Sequence, residues 1–351
     1  MKGEFPARMR VAVVHAWGDV RIEERPVPIP GPGEAVVRIE ACGLCGSDAM
    51  PWYVDSKAPV VLGHEPAGEI VAVADDVSAF APGERVFVHH HAPCMDCAEC
   101  ARGLWSNCAT WRATHLDPGG FAEYARVPAT NLAADTLRLP DDLDFETATF
   151  IEPVACCLRA VRRKGAVSPV DGVHIVGLGA MGLVMVQLAR VFGAARVTGA
   201  DFEGGRRDLA RDLGADLAID AADPEVGAAT RAAHDGRGAD VVLVTPGDPA
   251  AVRAGILAAA PGGRVVCFTP QAPDVPLALD QNRMYFREVA LLQSYSCGPD
   301  ETRNALDLLA AGALDTRPLV THRAGLDGVS DGLDRALERS EGIKTVILPS
   351  E

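Results

Sequence analysis

The sequence has no apolar run approaching the roughly 18 residues that would span a bilayer, so a membrane-embedded chain is not expected. Its opening, MKGEFPARMR, lacks the apolar stretch of a secretory signal. No internal repeat or low-complexity tract is present, which argues against solenoids and disordered arrays. Nor is there an excess of positive charge: 33 Lys and Arg face 48 Asp and Glu, a net charge of −15. Such a surface repels phosphate backbones and anionic lipids, so neither nucleic acid nor membrane is the expected partner. A cytoplasmic location follows as the expectation.

At 351 residues and 48% hydrophobic, the chain is long enough for two domains, each with its own core. The first 150 or so residues hold short β-type segments between Pro- and Gly-rich turns, at 10–15, 34–41, 69–73, 85–89 and 121–127, which predicts a barrel-like β domain. A helix is expected over 145–163. Strands then alternate with helices: 173–176, 197–200, 240–244, 263–267 and 289–292 as strands, 181–192 and 206–213 as helices. That alternation predicts an α/β domain, a parallel sheet with helices on both faces. Helices at 301–311 and 328–338 and a strand at 345–348 close the chain.

Gly177-Leu-Gly179-Ala-Met181-Gly182 lies between the strand HIVG and the helix MGLVMVQLAR. The first glycine permits a tight turn, the second lets backbone approach a pyrophosphate, and the third lets helix and strand pack closely. Asp201 ends the next strand, where a carboxylate can bind both hydroxyls of an adenosine ribose and repel a 2′-phosphate. NAD is therefore the expected cofactor, with Arg206 as the nearby cation that complicates the choice against NADP.

Ten cysteines are present, and they cluster as in an intracellular metal protein rather than a disulfide scaffold. Cys94, Cys97, Cys100 and Cys108 place four soft donors within fifteen residues, enough to enclose a structural Zn²⁺. An iron–sulfur cluster is the competitor, but no proline follows the fourth cysteine and no second set supports electron transfer. A nucleic-acid-binding zinc ribbon would want basic neighbours, whereas Asp96 and Glu99 accompany Arg102.

A further group begins with Cys42-Gly-Leu-Cys45-Gly-Ser47-Asp48, continues with Gly63-His64-Glu65-Pro-Ala-Gly68, and ends with Ile-Glu152-Pro. Together with the four-cysteine lobe and the glycine turn, this resembles the zinc-dependent medium-chain alcohol and polyol dehydrogenases, the group containing sorbitol and threonine dehydrogenases. The likeness covers nearly the whole chain. It implies a GroES-like catalytic domain of residues 1–154 completed by 294–351, a Rossmann domain at 155–293, and a substrate cleft between them. It further implies a second, catalytic zinc on Cys45 and His64, with Glu152 as third ligand directly or through water. Glu65 would approach the metal, Asp48 would orient the His64 imidazole, and Cys42 would not ligate. Three protein ligands leave a position open for a substrate oxygen, whose proton the zinc makes easier to lose, with Ser47 placed to accept it.

The sequence also departs from the family. Met50 stands where many relatives have a relay histidine. His91 matches a histidine of threonine dehydrogenases, and within His89-His90-His91 at least one ring is expected to line the pocket. Sorbitol dehydrogenases have Arg-Tyr where this chain has Ser294-Tyr295, and Tyr in place of Pro51, which counts against sorbitol itself. Trp52, Trp111 and Phe121 are pocket-wall candidates that could equally be core. Cys156, Cys157, Cys267 and Cys297 read as small buried hydrophobes. The expected activity is hydride transfer from a secondary alcohol, a polyol or cyclitol, to NAD. An L-threonine 3-dehydrogenase-like amino-alcohol dehydrogenase is the first alternative and a non-catalytic zinc scaffold the second. The resemblance also implies a homo-oligomer, dimer or tetramer, built through the strand near 289–292.

Overall fold

The computed structural model describes residues 5–337 and 342–351. It divides into two compact units: residues 1–155, 297–312 and 316–351 form one, and residues 156–296 with 313–315 form the other. Among the described residues, no helix is long and apolar enough to cross a membrane.

The first unit is built on a seven-stranded sheet and a two-stranded hairpin. The strand Ala35–Gly43 lies at the centre of the sheet, antiparallel to Glu65–Val73 and Tyr124–Val127 and, at its far end, to Lys344–Ile347. Val346 pairs with Gly43 and Ile347 with Cys42, so the chain's last strand completes the sheet begun by its N-terminal third. The hairpin of Arg8–Ala16 and Asp19–Pro26 joins through bridges from Val11 to Ala122 and from Val14 to Val60. Runs of consecutive residues in these strands are buried, among them Val11–Val14 and Ala35–Val37, so both faces of these strands are covered around one core.

The second unit is a six-stranded, wholly parallel sheet. Its strands run spatially as Leu217–Asp220, Arg196–Asp201, Gly172–Val176, Ala239–Val244, Ala259–Cys267 and Ala290–Gln293. The strand that comes first in this unit sits third in space, and the order reverses there. That is the doubly wound dinucleotide-binding arrangement, whose switch point lies at the end of the first strand. The strand Ala290–Gln293 forms one edge. Residues 313–315 are held by Gln187, which donates to the Asp315 carbonyl at 3.1 Å and accepts from the Asp315 N–H at 2.7 Å.

Two local readings differ from the sequence expectation. The helix expected over 145–163 is broken into Phe145–Ala148 and Ile151–Leu158, followed by a π-helical stretch Arg159–Lys164. Residues 328–338 form a helix over Val329–Leu337, and Glu338 lies outside the described residues.

Candidate active site and metal centres

The sheet delivers the first set of donors. Cys45 follows the strand Ala35–Gly43, and Glu65 opens its antiparallel neighbour directly after His64. Gly43 pairs with Glu65 in register, which brings the two motifs together although about twenty residues separate them. The thiol of Cys45, an imidazole nitrogen of His64 and a carboxylate oxygen of Glu65 lie within 4.8 Å of one another. Asp48 is buried behind them. One of its oxygens lies 3.2 Å from His64 Nδ1, and the other accepts the Cys45 backbone N–H at 3.1 Å. The imidazole is thereby oriented with Nδ1 towards Asp48 and Nε2 on the side away from it. Burial by itself would push the His64 imidazole down, but Asp48 and Cys45 outweigh it and hold it well above its ordinary value. Ser47, expected to accept the substrate proton, is half-buried in the turn between Cys45 and Asp48.

Glu65 is wholly buried, and Lys344 donates to its Oε2 at 2.5 Å. Burial pushes the Glu65 carboxyl up, while Lys344 pulls against that shift. The other oxygen, Oε1, is buried with no hydrogen-bond partner. An orphaned carboxylate oxygen is expensive in such a place. Beside a thiol and an imidazole it is what a divalent cation would satisfy, so these residues fit a zinc ion. Lys344 and its ion pair were not anticipated; only the register of the last strand brings them in.

Glu152, the expected third ligand, is not part of this group. The structure places its carboxylate with His89 and Cys297, all three buried and within 4.8 Å of one another. Cys42 is fully buried, and its thiol packs where a Cβ on Gly63 or Gly120 would strike it, in keeping with a core role.

The four-cysteine lobe closes on itself. Cys94 Sγ lies 3.9 Å from Cys100 Sγ and 3.6 Å from Cys108 Sγ, and Cys97 Sγ lies 3.5 Å from Cys100 Sγ. With zinc–sulfur bonds of about 2.3 Å, a tetrahedral site has sulfur–sulfur edges of about 3.8 Å, whereas a disulfide would need about 2.05 Å. The sulfur positions fit a closed zinc site. Trp105 and Trp111 pack against the lobe, so Trp111 is core rather than pocket wall, as is the fully buried Phe121.

Around the first metal group, His90 has a buried Nδ1 without a hydrogen-bond partner. Burial, with His91 and His64 nearby, holds its ring well below the usual value. His91 packs on Trp111 with ring centroids 4.2 Å apart and a 36° tilt, bonds the Thr114 carbonyl oxygen through Nδ1, and burial pushes it down to about 3. Both rings are thus neutral near pH 7. Trp52 is 37% exposed on a short helix of the first unit, and Tyr295, in the second, is 53% exposed.

In the second unit the glycine turn behaves as a dinucleotide cradle. Gly177 has φ +86°, and a Cβ there would meet Thr245 Oγ1 at 2.4 Å; at Gly182 it would meet the Gly177 carbonyl oxygen at 2.0 Å. Gly179 differs, because the nearest atom to its hypothetical Cβ is Arg206 Nη1 at 3.8 Å. The crowded glycines pack helix to strand, and the open one leaves space over the N-terminus of the helix Ala180–Val191, which no side chain caps. Met181 lies in that first turn. Asp201 accepts the Leu178 N–H at 2.6 Å through one oxygen and the Glu203 N–H at 2.9 Å through the other, which fixes its carboxylate beside the turn. The uncapped N–H groups and the fixed acid fit a pyrophosphate and a ribose.

Comparison with known proteins agrees with this chemistry. Residues 31–141 match the alcohol dehydrogenase GroES-like domain, and residues 180–311 match the zinc-binding dehydrogenase family. The chain is 32% identical to sorbitol dehydrogenase of Gallus gallus over 95% of each chain. It is 30% identical to erythritol/L-threitol dehydrogenase of Mycolicibacterium smegmatis over the full length of both. Among solved structures, a zinc-binding dehydrogenase of Sinorhizobium meliloti 1021 bound to NADP superposes with a TM-score of 0.87 at 30% identity, covering 98% of this chain and 100% of that one. Fold and site together define a zinc- and nicotinamide-dependent oxidoreductase. The chain belongs to the zinc-dependent medium-chain alcohol and polyol dehydrogenase family, which sets aside the non-catalytic scaffold.

Proposed function

We propose that this protein oxidises a secondary alcohol carrying neighbouring hydroxyls, a polyol or cyclitol, with NAD as acceptor. The observation that carries the reading is the Cys45–His64–Glu65 group with its orphaned carboxylate oxygen. In this reading zinc, when bound, supplies the Lewis acidity that makes an alcohol proton easier to lose, and the dinucleotide takes the hydride. Cys45, His64 and Glu65 would hold the metal, Asp48 would keep His64 turned, and Ser47 would receive the proton. With Met50 in place of a relay histidine, that proton leaves by a route other than a side chain at position 50. Asp201 favours NAD by occupying the place of a 2′-phosphate with a negative charge.

Two neutral imidazoles, His90 and His91, favour an uncharged polyol over an amino alcohol such as L-threonine, whose carboxylate would seek a cation. A panel of polyols, cyclitols and L-threonine, assayed by the absorbance of reduced cofactor with NAD and then NADP, tests the reading. Turnover of at least one polyol or cyclitol with a preference for NAD is expected. Activity confined to L-threonine would sink it.

The strand Ala290–Gln293 and the preceding helix Gln281–Arg287, with Tyr285 and Phe286 exposed at 68% and 76%, support assembly with a second copy. Light scattering is expected to give a dimer or tetramer, and Tyr285→Asp with Phe286→Asp a smaller species. The clustering of cysteines as metal donors supports a cytoplasmic location.

A further inference from the structure

We propose that Lys344 is a positioning residue for the metal-dependent reaction. It holds one oxygen of Glu65 away from the ion, so that Glu65 binds through a single oxygen and a position on the metal stays open for the alcohol. The inference rests on the reading of Cys45, His64 and Glu65 as the metal's ligands, and adds to it how the third of them binds.

The two oxygens of Glu65 have different surroundings. Oε2 accepts from Lys344 Nζ at 2.5 Å, whereas Oε1 is buried with no hydrogen-bond partner. Oε2 is also packed against the chain: a Cβ added to Gly43 would lie 1.9 Å from it and 3.0 Å from Lys344 Cε. The lysine backbone is fixed in its turn. Lys344 opens the last strand and pairs with Val320, while Val346 of the same strand pairs with Gly43. The fully buried Phe150 ring, its centroid 5.7 Å from Nζ, closes off part of the space in which the ammonium could swing.

Lys344 is 4% exposed and Glu65 wholly buried. A buried ion pair recovers little of the cost of drying its charges, so stability alone is a weak reason for this one. What the pair supplies is direction. A carboxylate can give a cation one oxygen or both. Three protein donors leave a tetrahedral zinc one position for substrate, and a second oxygen from Glu65 would fill it. With Oε2 engaged by Lys344, that position stays free. Without the ammonium, Oε2 is dry and unpaired, and the ion becomes the cation within its reach.

Lys344→Met, which keeps the side-chain length and drops the charge, tests this on the metal-loaded protein. Imidazole is the probe, a neutral donor for an open metal position. Its affinity is read without turnover, from the visible bands of cobalt exchanged into the Cys45 site. The variant should keep the ions of that site and of the four-cysteine lobe. It should bind imidazole about tenfold or more weakly and lose about 10–100-fold in kcat, as when a ligand's outer partner is removed. Lys344→Arg should restore part of both. Imidazole binding equal to that of the wild type would overturn the proposal. So would loss of the ion from the Cys45 site, since the lysine would then hold the site together rather than set how Glu65 binds. Glu65→Gln separates the inference from the reading beneath it. If that variant keeps the ion, Glu65 is not a ligand and both fall; if it loses the ion while Lys344→Met behaves as wild type, this inference alone falls. If Lys344→Met does not fold, the wild type decides. Cobalt in the Cys45 site should show the intense bands of a four-coordinate ion, and the weak bands of higher coordination would refute a one-oxygen Glu65.

Discussion

At the scale of single residues, two buried acids compete for the role of third catalytic ligand, and their neighbours distinguish them. Glu65 presents an oxygen with no partner to the Cys45–His64 pair, while Glu152 is grouped with His89 and Cys297. Removing one anionic donor without changing volume tests this directly. Glu65→Gln should lose the ion held with Cys45 and His64 and lower kcat/KM by at least the roughly 10–100-fold typical of losing even an outer-shell partner. Glu152→Gln should keep that ion. The comparison is made by metal analysis and steady-state kinetics on the same preparations, and the reverse outcome would return the ligand role to Glu152. The I-E-P motif does not reveal which acid ligates, because it marks a position in the chain and carries no information about depth. Lys344 was illegible for a similar reason: nothing near it in sequence announces a buried ammonium, and only the pairing of Val346 with Gly43 carries it to Glu65.

At the scale of elements, local chemistry was most legible where a motif is contiguous. The glycine turn and the four cysteines each lie within one short segment, so their spacing alone implies their geometry. The strand Thr136–Arg138 and the parallel pairing of Val320–Ala324 with Lys344–Ile347 were missed. Each is short, and each is stabilised by distant partners rather than by its own alternation. The helix expected over 145–163 failed at its breaks because Asp144 caps a separate first turn through Thr147 N–H, and the later residues widen into a π-helical pitch. The four-cysteine lobe shows how little an element can hold by itself. Its apolar content is Trp105, Trp111 and the cysteines, too small a cluster to order a loop without its ion. Treatment with a strong chelator should therefore expose a new proteolytic site within residues 94–113, read by mass spectrometry of limited digests. A lobe that stays resistant after its zinc has left would show that packing alone suffices.

At the scale of the whole molecule, acid should act on the second unit through a buried chain that no motif announced. His174 Nδ1 lies 2.8 Å from Thr198 Oγ1, and the same hydroxyl lies 2.9 Å from His234 Nε2. Burial, with His234 alongside, pushes His174 down to about 3. Burial followed by Arg196 lowers His234, against the opposing pull of Asp240, Asp235 and Asp216. In the unfolded chain these rings take up a proton near pH 6.5. Between about 6.5 and 3 the unfolded state thus binds more protons than the native one, so stability is fully present above 6.5 and drains away as the pH falls. Loss of zinc works in the same direction, because thiolates and imidazoles must be deprotonated to hold it, so the wild-type profile alone cannot apportion the effect. His174→Asn can, since its amide reproduces the Nδ1 contact with Thr198 and does not titrate. Urea midpoints measured between pH 7.5 and 5 should fall less steeply in that variant than in the wild type, at matched zinc content. Equal slopes would mean that His174 contributes nothing to the acid sensitivity.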